Sequence, residues 1–120
     1  MASVLLLTNS QGASADVLPA LALLQHTIKV QPLEASVLVD APVMDAILID
    51  SRREFPTAKS LTRLIATTGS TTPVIVITTE GGLTAISADW QIADVILDSA
   101  GPAEVDARIR LAIDTLSHQL

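Results

Sequence analysis

Five short apolar runs limit what this chain can fold into. They are SVLLLT (Ser3 to Thr8), TIKVQ (Thr27 to Gln31), AILID (Ala46 to Asp50), VIVIT (Val74 to Thr78) and DVILD (Asp94 to Asp98). Runs this short and this apolar fit strands covered on both faces, the pattern of a parallel sheet sandwiched by helices. VIVIT contains no charged residue at all, and its expected place is the centre of the sheet. The core has to be aliphatic, because Phe55 and Trp90 are the only aromatic residues while 49% of the chain is apolar.

The stretches between the runs carry helical periodicity. Val17, Leu18, Leu21 and Leu24 share one face of a helix expected over Val17 to Gln25. Asp16 is its expected N-cap, since Pro19 is tolerated only in the first turn, where amide hydrogens lack partners. A weak second helix is expected over Glu34 to Val39. Pro56 fits the first position of a third helix that runs to about Thr67, with Ala58, Leu61, Leu64 and Ile65 on its core face. EGGLTAIS (Glu80 to Ser87) holds at most a short fourth helix, weakened by two glycines. Gly101 and Pro102 open a last helix to about Ser117, with Val105, Ile109, Ile113 and Leu116 as its buried stripe. Five strands alternating with five helices predict a single α/β domain over residues 1–120. The expected architecture is a five-stranded parallel sheet, doubly wound as (βα)5 with right-handed crossovers, of the flavodoxin-like type.

Charge and composition exclude several functions. A net charge of −6 with seven scattered basic residues leaves no basic face for phosphate backbones, and no aromatic platform for bases. The absence of cysteine rules out disulfides and thiolate chemistry, in keeping with a cytoplasmic setting. The run Val17 to Leu24 lacks the preceding basic residues of an export signal, and nothing reaches the length of a membrane span. No cofactor loop is present: Gly81-Gly82 belongs to neither a P-loop nor a GxGxxG pattern. Ser10, Ser51 and Ser99 lack the setting of a nucleophile. His26 and His118 have no partner at metal-ligand spacing and read as surface histidines. Trp90 reads as partly buried packing. A small nucleotide-dependent enzyme therefore lacks its loop, its nucleophile and its base.

In doubly wound sheets chemistry gathers at the carboxyl ends of the strands. Those ends carry Thr8, Asn9, Asp50, Ser51, Arg52, Thr78, Thr79, Asp98 and Ser99. PVIVIT ending in Thr78, ADVILD, and Asp50 at its strand tip resemble a receiver domain of a bacterial response regulator, of the CheY-like fold and the OmpR/PhoB family. VLPALALLQHTIKV, LTRLIATTGSTTPV, EGGLTAISADW and GPAEVDARIRL further resemble the receiver of GlnR, the actinobacterial nitrogen-response regulators. The resemblance covers the whole chain.

Against that family the sequence departs where phosphoryl transfer needs charge. Thr8 and Asn9 replace the acidic pair after the first strand. Asp98 or Ser99 replaces the lysine after the fifth, and Val95 replaces the aromatic residue. Phosphoryl transfer to a carboxylate needs Mg²⁺ held by several acids, or another cation, to screen two anions. Asp50 alone is a poor metal site. Arg52 lies two residues on and can fold back onto Asp50, lowering its pKa, with Thr8 and Thr78 completing a hydrogen-bond network. The alternatives are an Asp50 that only caps the next turn and an Asp50 that accepts a phosphoryl group from a kinase.

The resemblance implies a homodimer through the fourth helix, fifth strand and fifth helix, formed without phosphorylation. It implies Asp94 opposite Arg108 across a twofold axis, with Glu104 and Ala107 facing the partner. The family's usual lysine is missing from EGGLTAIS, so Leu83 and Ile86 are expected to supply apolar contacts instead. An internal Glu104–Arg108 pair at i,i+4 is the competing reading. A winged-helix DNA-binding domain is expected after Leu120, so DNA contact would come only through that domain. The expected function is a regulatory one without catalysis, metal or cofactor.

Overall fold

The computed structural model describes residues 3–9, 26–39, 44–68 and 71–118. The strands are β1 (Ser3–Leu7), β2 (Thr27–Gln31), β3 (Ala46–Asp50), β4 (Val74–Thr78) and β5 (Asp94–Leu97). The helices are α1 (Ala35–Val39), α2 (Phe55–Thr67) and α3 (Pro102–His118), and two 3₁₀ turns, Gly81–Ala85 and Ala88–Trp90, lie between β4 and β5. All strand pairs are parallel and the sheet order is β2-β1-β3-β4-β5. This is the doubly wound five-stranded sheet expected from the sequence. The helix expected over Val17 to Gln25 lies outside the described residues.

The strand order corrects one expectation. β3, not VIVIT, is the central strand, and β4 lies between β3 and β5. Both are buried along their whole length, so apolar content alone could not rank them.

The sheet has a core on each face, set by the two-residue period of the strands. Val4, Leu6, Ala46, Leu48, Ile75, Ile77 and Ile96 pack with Val105 and Ile109 of α3 on one side. Leu5, Leu7, Ile47, Ile49, Val74 and Val76 pack with Ala58, Leu61 and Ile65 of α2 and with Trp90 on the other. Each fully buried aliphatic side chain is worth about 1.5–3 kcal/mol relative to exposure.

Two helix faces differ from expectation in detail. α2 buries Ala58, Leu61, Thr62 and Ile65, and Leu64 is 40% exposed. At 100° per residue, Leu64 lies to one side of the stripe that Thr62 completes. Thr62 satisfies its hydroxyl by donating to the Lys59 carbonyl, 2.8 Å away. In α3, Val105 and Ile109 are fully buried and Ile113 packs at the margin, while the side chain of Leu116 lies outside the described residues. EGGLTAIS forms one 3₁₀ turn, Gly81–Ala85, and no α-helix, in keeping with the low helix propensity of its two glycines.

The order β2-β1-β3 means that the chain reverses direction across the sheet between β1 and β3. That switch point opens a crevice at the carboxyl ends of these two strands. Thr8 and Asn9 leave β1 there, and Asp50 ends β3.

Candidate functional site

Asp50 is the last residue of β3, and the register sets Leu7 beside Ile49, which brings Thr8 alongside it. The Asp50 carboxylate is 7% exposed at the residue level and accepts four hydrogen bonds. The Thr8 hydroxyl donates to Oδ2 at 2.7 Å. The Arg52 backbone N–H donates to Oδ1 at 3.1 Å, its Nε to Oδ1 at 2.9 Å, and its Nη2 to Oδ2 at 3.2 Å. The two guanidinium contacts form a bidentate fork, the strongest geometry for such a pair. Ser51 is fixed to the neighbouring strand, with its N–H and its hydroxyl both donating to the Ile77 carbonyl, at 2.9 and 2.8 Å.

The electrostatics follow from these contacts. Burial opposes ionisation of Asp50, but hydrogen bonds from the Arg52 side chain, Thr8 and the Arg52 backbone outweigh it. The carboxyl is held below its ordinary value. The Asp50 bond in turn raises Arg52, against its own burial, and the field of Asp98 acts in the same direction. Asp98 thus reinforces the cation from the side where receivers of the resembled family carry a lysine.

The other expected pocket residues divide. Asn9 does not bond Asp50: its Nδ2 donates to Glu54 and its Oδ1 accepts the Leu33 N–H at 3.0 Å. Asn9 therefore ties the end of β1 to the turns before α1 and α2. Thr78 is completely buried, and its hydroxyl has no hydrogen-bond partner. It takes no part in the Asp50 network. Asn9, Leu33, Asp50, Arg53 and Glu54 line a cavity of about 200 Å³.

Receivers of this fold use a divalent cation at this place, and the residues here do not fit one. Both Asp50 oxygens are engaged by Arg52. Asn9 is a neutral donor bound elsewhere. Among the described residues no group of three or more His, Cys, Asp or Glu side chains is placed to hold a metal.

At the other end of the sheet, Arg108 of α3 reaches Asp94 of β5 in the same chain, its Nη1 lying 3.2 and 3.1 Å from the two carboxylate oxygens. Its Nε faces Glu104 at 3.6 Å, too far for a hydrogen bond. Ala107, Leu83 and Ile86 are half-buried, and Ile86 packs against the core. Sequence reasoning missed Leu111, one turn beyond Arg108 and 63% exposed. Its i,i+3 spacing from Arg108 was the available signal. The reading of His26 as a surface residue is corrected: its side chain is 8% exposed. Its Nε2 lies 2.8 Å from Asp106 Oδ1, and Arg110 Nε donates to the other oxygen of Asp106 at 2.8 Å. Trp90 is 2% exposed, more buried than expected.

The family model described as Transcription regulator GlnR, N-terminal domain, matches residues 2–113. The chain belongs to this family. GlnR-type receivers have solved relatives in fold. NtrX from Brucella abortus superposes with a TM-score of 0.80 at 13% identity, over 98% of this chain and 28% of that one. The N-terminal domain of a response regulator/sensory box/GGDEF protein from Carboxydothermus hydrogenoformans gives 0.76 at 15% identity, over 98% of both chains. The receiver domain of the TMAO respiratory response regulator TorR gives 0.73 at 15%, over 95% of this chain and 98% of that one. At such identities the likeness shows the receiver fold. The chain spans little more than a quarter of the length of NtrX. No curated protein matches the chain. Among the described residues, no helix of this GlnR-type receiver is long and apolar enough to cross a membrane.

Proposed function

We propose that this domain is the regulatory half of a GlnR-type transcription regulator of nitrogen metabolism, and that it works by self-association without phosphorylation. A DNA-binding domain following it would be paired with a second copy through the receiver dimer. Linking two DNA-binding modules raises effective concentration without any new DNA contact. The domain carries out no catalysis in this reading, and its working place is the cytoplasm.

One observation carries the reading. The carboxylate that a phosphoryl group would need is already occupied by a bidentate guanidinium from its own loop. An internal cation supplies permanently what a phosphoryl group and a metal supply transiently elsewhere. The pocket is therefore a fixed anchor.

The dimer face is the surface of β5, α3 and the 3₁₀ turns, in the OmpR/PhoB manner. Asp94 and Arg108 are each more than a third exposed, so both can exchange their partner within the chain for one across a twofold axis. Glu104, Ala107 and Leu111 flank them on α3, and Leu83 and Ile86 adjoin from the turns.

Analytical ultracentrifugation without phosphodonor tests this. The wild type is expected to be dimeric at tens of micromolar. Arg108→Glu and Asp94→Arg should each be shifted toward monomer. An equimolar mixture of the two should dimerise again. Mixing restores both pairs across the axis and leaves both chains unpaired internally, so a purely internal pair gives no rescue. A monomeric wild type, or a mixture that stays monomeric, contradicts this face.

A further inference from the structure

The turn after β4 contains a contact that neither the pocket nor the charge pairs require. Gly82 is buried although it lies in a 3₁₀ turn. A Cβ built on it collides with the Thr78 hydroxyl and stands 2.6 Å from Phe55 Cζ, well inside van der Waals contact. Its backbone lies outside the left-handed region. Position 82 therefore needs the absence of a side chain for space, not for backbone freedom.

The neighbours extend this contact in both directions. Thr78 ends β4 and is fully buried, and its unpartnered hydroxyl fills the space against Gly82. Phe55 is the first residue of α2, and its ring meets Trp90 edge-on, with centroids 6.3 Å apart and planes at 88°. Trp90 Nε1 donates to the Ala85 carbonyl at 3.0 Å. Lys59, one turn along α2, reaches Asp89 at 2.7 Å. On the other side, Phe55 follows the loop that Arg52 ties to Asp50 by both backbone and side chain. A continuous set of contacts thus runs from Asp50 through its loop to Phe55, and from Phe55 to the turns that carry Leu83 and Ile86.

We infer that Thr78, Gly82 and Phe55 form a steric lock that holds segment 81–90 in one position, and that Phe55 and Gly82 are positioning residues for the self-association face. This rests on the self-association reading for what is positioned, though the lock itself does not. It gives the segment a fixed setting where a phosphorylation switch would need a movable one, because close-packed groups cannot shift without displacing their neighbours. Thr78 serves as a stop under the turn, with no part in the pocket chemistry.

Trp90 is the only tryptophan, so its emission reports the segment directly. Gly82→Ala is expected to move that emission to longer wavelength and to weaken the dimer about tenfold, equivalent to about 1.4 kcal/mol. Adding Thr78→Ala removes the closer of the two collisions and leaves only the edge of the Phe55 ring to shift, so it should recover part of both readouts, a rescue that mere loss of packing does not give. Phe55→Leu alone should reproduce both changes more mildly, and it decides the matter if Gly82→Ala unfolds by circular dichroism. Wild-type emission in Gly82→Ala overturns the lock, and so does a shift that Thr78→Ala leaves undiminished. A shifted emission with an unchanged dimer overturns the positioning role. A monomeric wild type overturns the self-association reading. The lock is then decided by emission and rescue alone, with shift and recovery supporting it and the absence of either refuting it.

Discussion

Two of the aspartate–arginine pairs among the described residues contrast, one beneath the surface and one upon it. In the Asp50–Arg52 pair the side chains are 8% and 18% exposed, and the carboxylate also accepts bonds from Thr8 and the Arg52 backbone. In the Asp94–Arg108 pair they are 36% and 39% exposed, and the extra carboxylate, Glu104, sits at 3.6 Å. The charged groups are the same, though Arg52 uses two nitrogens and Arg108 only Nη1, and the consequence differs. The buried carboxylate has lost water and depends on its partners, so removing them leaves a charge stranded. The exposed pair keeps its water, and the contact is worth little to the fold. An aspartate of the first kind is committed to the structure, whereas one of the second kind is free to change partners.

The largest expected effect falls on the buried pair. Asp50→Ala strands Arg52 and leaves the Thr8 hydroxyl without its acceptor, which should cost about 1–3 kcal/mol in urea unfolding. An unchanged midpoint would mean that Asp50 behaves as a solvated loop residue.

The acid limb of stability comes next. The folded state holds the Asp50 carboxyl below its ordinary value. Its contribution is therefore complete above the unfolded value of about 3.9 and is lost as pH falls through the lower folded one. Arg52→Leu removes the guanidinium bonds that lower this carboxyl and leaves burial opposing ionisation. The acid-induced loss carried by this group should then shrink, and reverse sign if burial takes the folded carboxyl above its unfolded value, read from thermal midpoints between pH 3 and pH 7. Coincident acid limbs would place the anchor elsewhere.

The smallest effect is expected at the surface. Arg108→Ala should change the stability of the monomer by about 0–1 kcal/mol, less at high salt. A cost as large as that of Asp50→Ala would remove the contrast between the two pairs.

Much of this was readable before folding. The strands announced themselves, because residues buried on both faces must be apolar throughout, and Pro56 marked the start of α2. Asp50 and Arg52 are two residues apart, so their contact could be argued from sequence. Three features could not. The exposure of Leu64 depends on where the α2 stripe centres, and Thr62 can lie within that stripe because its hydroxyl is satisfied by the Lys59 carbonyl of its own helix. Asn9 has several residues within reach, and only the fold brings Glu54 and the Leu33 N–H to it in place of Asp50. His26 meets Asp106 across 80 residues of sequence, a distance no local pattern spans. The close approach of Gly82 to Thr78 and Phe55 was hidden for a related reason. A glycine kept for space looks the same in sequence as one that merely weakens a helix.

Whether Asp50 is an occupied anchor is most directly decided by intact mass after incubation with acetyl phosphate and excess Mg²⁺. With both carboxylate oxygens engaged by Arg52, the protein should retain its unmodified mass, while a phosphorylatable receiver treated alongside gains a phosphoryl group. A substantial phosphorylated fraction that disappears in Asp50→Ala would show that Arg52 yields to the phosphoryl donor, and would contradict the account.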